Sequence, residues 1–132
     1  MEFILRGNIP SKKNSRINTR SGRSFPSKAY TQWHEIACWQ LKRLKTIDYR
    51  IKIDYIFTPK DKRKFDVSNK IESINDLLVD MGIIKDDNYI FLLIGDTEVL
   101  KENKENCGCK CIIHKIESYE TNTTSNEKSN KL

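Results

Sequence analysis

The segment from Val67 to Met81 constrains the fold most, because its apolar residues recur at the spacing of an α-helix. At about 100° per residue, one face of this helix carries Val67, Ile71, Ile74, Leu78 and Met81. Gly82 follows directly, and glycine commonly ends a helix because it adopts a left-handed conformation without steric cost. A helix with one apolar face needs a second layer to cover it, so a layered domain is expected.

A second amphipathic helix is predicted from Ser27 to Lys45. Trp39 lies off its apolar stripe, and we expect this side chain to pack on another element, contact a partner subunit or stack on a base. The stripe itself consists of Tyr30, Trp33, Ala37, Leu41 and Leu44.

Strands are predicted around these helices. Residues 48–58 alternate between apolar and polar side chains, which is the pattern of a half-buried strand. Residues 2–8, 89–94 and 109–116 are predicted as further strands, whereas the Ser, Asn, Gly and Pro content of residues 9–26 indicates an irregular loop. The order β-α-β-α-β-β indicates an α+β fold, with the helices packed on one small mixed sheet.

The domain is expected to span residues 1–117. Residues 118–132 carry almost no apolar side chains and are predicted to form a disordered tail. No apolar run approaches the ~18 residues that a membrane helix needs. The first residues do not combine a basic leader with a long apolar stretch, so we expect no secretory signal and a cytoplasmic location.

The charge of the chain is divided between its halves. Residues 1–64 contain 16 Lys and Arg against 5 Asp and Glu, whereas residues 65–132 contain 8 against 13, for a net charge of +6. Such a division suits an enzyme that holds phosphates with one part and divalent cations with the other. An unevenly charged, solvated surface is the alternative interpretation.

Three of the four cysteines lie at alternate positions, Cys107, Cys109 and Cys111. On a strand they would share one face, whereas His114 would point to the opposite face. A zinc site would then lack its fourth ligand, so small, reduced strand residues are favoured over a metal site.

Carboxylates gather on and after the helix of residues 67–81. Asp66 precedes it, the pair Asp86-Asp87 follows Gly82, and its polar face carries Asn69, Glu72, Asp76 and Asp80. Such oxygens bind Mg²⁺, and metal ions of this kind stabilise the charge that develops during phosphodiester hydrolysis. Lys62, Arg63 and Lys64 stand just before Asp66, where they could hold neighbouring phosphates. A solvated acidic helix face is the alternative interpretation.

The stretch from Lys60 to Asp87 resembles the signature of RusA-type Holliday-junction resolvases. In that family a strand and a basic turn lead to Asp-x-x-Asn at a helix start, followed by a helical Asp, a Gly and an Asp-Asp pair. The corresponding residues here are Asp66, Asn69, Asp76, Gly82, Asp86 and Asp87. The opening segment Ile9-Pro-Ser-Lys-Lys-Asn14 resembles the family more weakly, and the likeness extends over roughly residues 1–117.

The resemblance implies a homodimer that binds a four-way DNA junction and nicks two strands symmetrically, using Mg²⁺ or Mn²⁺. Asp66, Asp86 and Asp87 would then bind metal, and Asn69 would orient the site. Asp76 would either interact with the metal ligands without binding the metal itself or have only a structural role. DNA would be held by Lys12, Lys13, Arg16, Lys62, Arg63 and Lys64.

Two positions depart from the family pattern, because well-known members have Asp at the position of Ser68 and Lys at that of Glu72. We expect Glu72 to replace the lost carboxylate as a metal ligand, and Lys70 to replace the lost cation on a phosphate. Weakened or lost activity is the alternative. A nucleic-acid-binding module without catalysis, held by the basic loop and Trp39, is therefore the rival function, and a metal-stabilised interaction domain is a third.

Overall fold

Two helices cover one face of a four-stranded mixed sheet in the computed structural model of the chain, which describes residues 1–11 and 16–116. The sheet has the strand order β1-β6-β4-β5, in which β4 and β5 are parallel and the other neighbours are antiparallel. The sheet strands are β1 (Glu2–Arg6), β4 (Ile51–Thr58), β5 (Leu92–Val99) and β6 (Gly108–Lys115). The predicted α+β class and the mixed sheet are confirmed.

The helices are α1 (Lys28–Leu41) and α2 (Val67–Asp80). Alternate residues of β4, from Ile51 to Phe57, are buried beneath them. The apolar faces predicted for both helices enter the same core, where Ile74, Leu77 and Leu78 of α2 are fully buried. Because α2 connects the parallel strands β4 and β5, its burial fixes the position of the residues at both of its ends.

Capping residues set the ends of α2. The Asp66 carboxylate accepts a hydrogen bond from the backbone N–H of Ser68 at the start of the helix. At the other end Gly82 has a φ of 71°, in the left-handed region that favours glycine. The chain then turns so that Ile83 and Ile84 are buried.

Helix α1 ends earlier than predicted, at Leu41 rather than Lys45. The Lys42 N–H donates to the Trp39 carbonyl and the Leu44 N–H to the Leu41 carbonyl, so the chain tightens into i→i+3 turns. The Trp39 side chain is 68% exposed, which excludes the core packing considered for it.

The prediction of an irregular loop over residues 9–26 is partly wrong, because the short strands β2 (Arg16–Asn18) and β3 (Ser24–Pro26) pair as a hairpin. Gly22, with a φ of 85°, makes the turn between them. The described side chains of the hairpin are exposed, which explains why its sequence lacks the alternation of apolar and polar residues that predicts a half-buried strand.

The strand predicted over 89–94 also begins later, at Leu92. Asn88 holds the residues just before β5 in a turn. Its backbone carbonyl accepts from the N–H groups of Phe91 and Leu92, and its side chain accepts from the N–H of Ile90.

Several predictions fall on residues that the structure does not describe. They concern Lys12, Lys13, the tail over 118–132 and the side chain of Arg16. Within the described ranges, no helix combines the length and apolar character needed to cross a membrane.

The junction of β1 and β6 offers a stability test at Gly108. Its φ is 148°, and a Cβ there would overlap the carbonyl oxygen of Leu5. We expect Gly108→Ala to lower the free energy of unfolding by about 2–4 kcal/mol, through backbone strain and steric overlap. Urea denaturation followed by circular dichroism measures this change.

Gly22→Ala is the matched control, because Gly22 also has a positive φ but open space around it. It is expected to cost less than Gly108→Ala, and equal losses for the two variants would show that close approach at Gly108 is unimportant.

Candidate active site

The start of α2 presents Asp66 in a fixed orientation. Its Oδ1 accepts hydrogen bonds from the Ser68 backbone N–H at 3.0 Å and from the Ser68 hydroxyl at 2.6 Å. The Ser68 hydroxyl therefore holds the Asp66 carboxylate in place without adding a second negative charge.

Three carboxylates follow at intervals of one helical turn, Glu72, Asp76 and Asp80, and we call them the acidic row. They continue the line of Ser68 along the side of α2 that faces away from the core. Glu72 is exposed and makes no hydrogen bond or ion pair with the described residues. Because helical side chains lean towards the N-terminus, Glu72 leans towards Ser68.

The turn after α2 carries Asp86 and Asp87 and is held by its own side chains. Asp86 Oδ1 accepts from the Asp87 N–H at 2.7 Å, and Asp86 Oδ2 accepts from the Asn88 amide at 3.1 Å. Partial desolvation raises the pKa of Asp87, and the neighbouring carboxyls of Asp86 and Asp76 raise it further. The fold therefore brings this turn within electrostatic reach of the acidic row.

Two tyrosines lie beneath these carboxylates. The Tyr55 hydroxyl donates to Asn75 Oδ1 at 2.6 Å, and burial raises the pKa of Tyr55, with a smaller contribution from Asp87. Burial and the charges of Asp76 and Asp80 raise the pKa of Tyr30 to about 12. The Tyr30 hydroxyl is buried and has no hydrogen-bond partner among the described residues.

Helix α1 also contacts the acidic row through His34, whose Nε2 lies 3.1 Å from Asp80 Oδ2. Neither His34 nor the Tyr30 hydroxyl is predicted from the sequence to lie near these carboxylates. Tyr30 was assigned only to the apolar stripe, and the contact of His34 depends on how the two helices pack. The spacing within α1 gives no signal for either role.

The donor chemistry of this region fits Mg²⁺, because every candidate ligand is a carboxylate and Mg²⁺ prefers oxygen. A cation that keeps part of its water shell could also supply a partner for the Tyr30 hydroxyl. Within residues 1–11 and 16–116, however, no three His, Cys, Asp or Glu side chains are grouped closely enough to hold a metal ion as they stand. Asp76, Asp86 and Asp87 interact, whereas Glu72 lies along the row without a direct contact.

The start of α2 is capped by Asp66 and not by Asn69. The Asn69 side chain is half-buried and forms no hydrogen bond with the described residues, whereas the Asn69 backbone carbonyl accepts from Ser73 Oγ at 3.3 Å.

Lys70 lies on the opposite flank of α2 from Glu72, since two residues turn a helix by about 200°. Its ammonium group donates to the Ile9 carbonyl, and to Asn8 Oδ1 at 3.5 Å. Ser73 Oγ donates to the Pro10 carbonyl at 2.7 Å, so α2 fixes the loop that follows β1. A phosphate held by Lys70 would therefore lie on a different side of α2 from Glu72.

The basic turn between β4 and α2 is open to solvent. The side chains of Lys62 and Arg63 are each 87% exposed, and they lie 3.8 Å from Glu102 and 3.7 Å from Asp61, respectively. Lys64 is also exposed. Ion pairs this exposed contribute little to stability, so the cations are available to an anionic ligand.

Cys109 and Cys111 lie on β6 as predicted, whereas Cys107 precedes this strand, which begins at Gly108. Cys109 and Cys111 are buried, Cys107 is half-buried, and all three are reduced. His114 points to the other face of the sheet, where its Nε2 lies 2.7 Å from Asp54 Oδ2.

Comparison with known proteins identifies the family of the chain. Residues 7–114 match the family model described as Endodeoxyribonuclease RusA, and this range contains both helices, the basic turn and the Asp86-Asp87 turn. A protein of Aquifex aeolicus (strain VF5), named Crossover junction endodeoxyribonuclease RusA, is 31% identical over 113 residues, which are 83% of this chain and 85% of the relative. The chain therefore belongs to the RusA family of endodeoxyribonucleases.

Proposed function

We propose that this chain is a divalent-metal-dependent endonuclease that cuts four-way DNA junctions by paired nicks, in recombination and repair. The observation that carries the proposal is the placement of Asp86 and Asp87 beside Asp76 of α2, with a basic turn leading into the same helix. Family membership supports the endonuclease activity, and the name of the Aquifex aeolicus relative supports the junction substrate.

Mg²⁺, with Mn²⁺ as a substitute, is the proposed cofactor, and it would neutralise charge on the scissile phosphate and orient the attacking water. Asp66, Glu72, Asp86 and Asp87 are the proposed ligands. Asp76 supports them by its charge, and Asn69 lines the same flank of the helix. The hydrogen bonds from Ser68 keep Asp66 in one rotamer, which limits the reorganisation needed when a cation binds.

Binding of DNA is assigned to the exposed cations rather than to the carboxylates. Lys62, Arg63 and Lys64 would contact phosphates and release counterions, so affinity would fall steeply with salt concentration. Lys12, Lys13 and Arg16 are proposed to add contacts from the loop whose base α2 fixes through Ile9 and Pro10.

We further propose that the active form is a homodimer. A four-way junction has two-fold symmetry, and two symmetric nicks need two active sites related by the same axis. Ile36 and Trp39, 57% and 68% exposed on the outer side of α1, are available for a subunit contact, or in the case of Trp39 for stacking on a base.

A second candidate function is junction binding without catalysis. It is favoured by Ser68, which supplies no carboxylate, and by Glu72, which contacts neither Asp86 nor Asp87. The two functions differ in whether the intact protein nicks DNA when Mg²⁺ is added.

Cleavage of a cruciform plasmid distinguishes these functions. With Mg²⁺ the parent chain is expected to linearise the plasmid, because paired nicks cut both strands, and EDTA should stop the reaction. Asp66→Asn and Asp87→Asn should each lower the rate at least a hundredfold, about 2.7 kcal/mol of barrier, while junction binding in EDTA stays within about twofold. Binding without nicking by the parent would support the second function, and relaxed circles alone would contradict paired cutting.

Metal binding can be measured without activity, through thermal unfolding of the parent and of Asp87→Asn. Mg²⁺ should raise the midpoint of the parent more than that of the variant, since a ligand stabilises the state that binds it. Asp48→Asn, an exposed carboxylate outside the proposed site, should respond like the parent. An equal response of all three proteins would remove Asp87 from the metal site.

In EDTA the order of stability should depend on pH. The pKa of Asp87 is raised in the folded chain from its usual 3.8, so ionised Asp87 destabilises the fold at neutral pH. Asp87→Asn should therefore be the more stable protein at pH 7, by less than about 1 kcal/mol because the group is exposed. This advantage should disappear as the pH falls below 3.8, where both states of the parent are protonated.

The relocation of a ligand to Glu72 is tested by Glu72→Gln. We expect cleavage at least tenfold slower, about 1.4 kcal/mol of barrier, with partial recovery at high Mg²⁺. Glu35→Gln, also an exposed helical glutamate, should cut like the parent. Glu72→Lys combined with Ser68→Asp should retain more activity than Glu72→Lys alone. If Glu72→Gln cuts normally at every Mg²⁺ concentration, Glu72 is only a solvated helix residue.

A further inference from the structure

A small cavity lies on the flank of α2 opposite the acidic row, between the loop after β1, the end of β4 and the basic turn. Its volume is about 180 Å³, several times the roughly 30 Å³ that one water molecule occupies in the liquid. Four cationic side chains and one carboxylate line it, namely Lys60, Arg63, Lys64, Lys70 and Asp61. We call this space the Lys70 cavity.

Lys70 is the least solvated of these cations. It is half-buried, and its ammonium group contacts neutral partners: the Ile9 carbonyl, Asn8 Oδ1 and the ring of Phe65, whose centroid is 4.9 Å away. It forms no ion pair with the described residues. Burial lowers its pKa, although Asp61 and Cys107 act in the opposite direction. A desolvated cation without an adjacent anion is costly, and an anionic ligand would remove that cost.

The walls of the cavity are fixed by the fold. The rings of Phe57 and Phe65, with centroids 6.2 Å apart, form its apolar side. The backbone of Gly7 and Gly108 forms another side, held by the hydrogen bond from Gly7 N–H to the Cys107 carbonyl at 2.9 Å. An anion that entered would therefore meet walls that are already formed and one cation, Lys70, that is already held in place, which reduces the entropy lost on binding.

We propose that the Lys70 cavity binds one backbone phosphate of the DNA, at a defined position on the strand near the cleavage site. The proposal rests on the function proposed above, because it takes DNA as the ligand. A phosphodiester carries one negative charge and offers several acceptor oxygens to Lys70, Lys64 and Arg63. The exposed residue Lys62 lies outside the cavity and would instead contribute the general attraction for DNA.

The placement of the cavity predicts where that phosphate lies. Asp66 stands at the start of α2, and the cavity and the acidic row lie on the two flanks of the helix behind it. The two flanks are separated by about 10 Å, the diameter of a helix. The bound phosphate should therefore lie within about three nucleotides of the scissile one, since phosphates rise ~3.4 Å apart along one strand.

The test uses junctions in which one phosphate is replaced by a neutral methylphosphonate, moved position by position around the branch point. Binding is measured by fluorescence anisotropy in EDTA, so the result does not depend on cleavage. For the parent chain, one position is expected to raise Kd about tenfold, the size of one charge-assisted contact. In Lys70→Met that position should lose its effect, to below twofold, because the contact is already absent.

Two further variants separate this role from a structural one. Lys64→Met also removes a cavity cation, but from an exposed side chain, so it should reduce the effect of the same position even if Lys70→Met folds poorly. Lys62→Met is the matched control outside the cavity. It should weaken binding to all junctions alike and leave the position-specific loss unchanged.

The outcomes also separate this proposal from the proposed function. A position-specific loss that Lys70→Met abolishes supports the cavity even if the chain never cuts DNA. A chain that cuts junctions but shows no position at which the loss depends on Lys70 or Lys64 overturns the cavity proposal and leaves the endonuclease intact. If Lys62→Met abolished the position-specific loss of affinity as fully as Lys70→Met does, the phosphate contact would belong to the exposed basic turn and not to the cavity.

Discussion

The burial of α2 against the central strand β4 is the interaction on which the rest of the structure depends. Ile74, Leu77 and Leu78 are fully buried, so the rotation of the helix about its axis is fixed. A helix fixed in rotation presents chemically different flanks. The outward one carries the acidic row within electrostatic reach of the Asp86-Asp87 turn, and one nearer the core carries Lys70 and Ser73, which hold the loop after β1. Once the apolar face of α2 is buried in the core, helical geometry places the carboxylates and Lys70 on different flanks.

The sequence predicted those parts of the fold that depend on local periodicity or on a chemical signal at one residue. The bounds of α2 were predictable because an apolar period ends at Gly82, and the angle between Lys70 and Glu72 was available from the same period. The β2–β3 hairpin was not, because its side chains gain nothing from a core. The start of β5 depended on a side-chain turn at Asn88, and the His34–Asp80 contact on helix packing. The hairpin, the start of β5 and this contact depend on tertiary structure, which the periodicity of a single sequence does not predict.

Position 68 shows how one side chain shapes a site without altering the fold. The Ser68 backbone N–H donates a hydrogen bond that caps α2, and the Ser68 hydroxyl donates a second bond to the same Asp66 oxygen. Because Ser68 is neutral it does not repel Asp66, and it offers a cation no carboxylate. Glu72, one turn further along the same line, is the next carboxylate on this side of the helix and leans back towards Ser68.

The role of α2 as the connection between two hydrogen-bonded parallel strands limits how the protein can move. A helix that joins β4 to β5 and supplies much of the core cannot swing outward as a lid while the sheet stays intact. Its core-facing backbone amides are therefore expected to exchange with solvent only when the whole domain unfolds. Adjustment to the shape of a substrate must therefore come from the loops at either end of α2, while the helix keeps the distance between these loops constant.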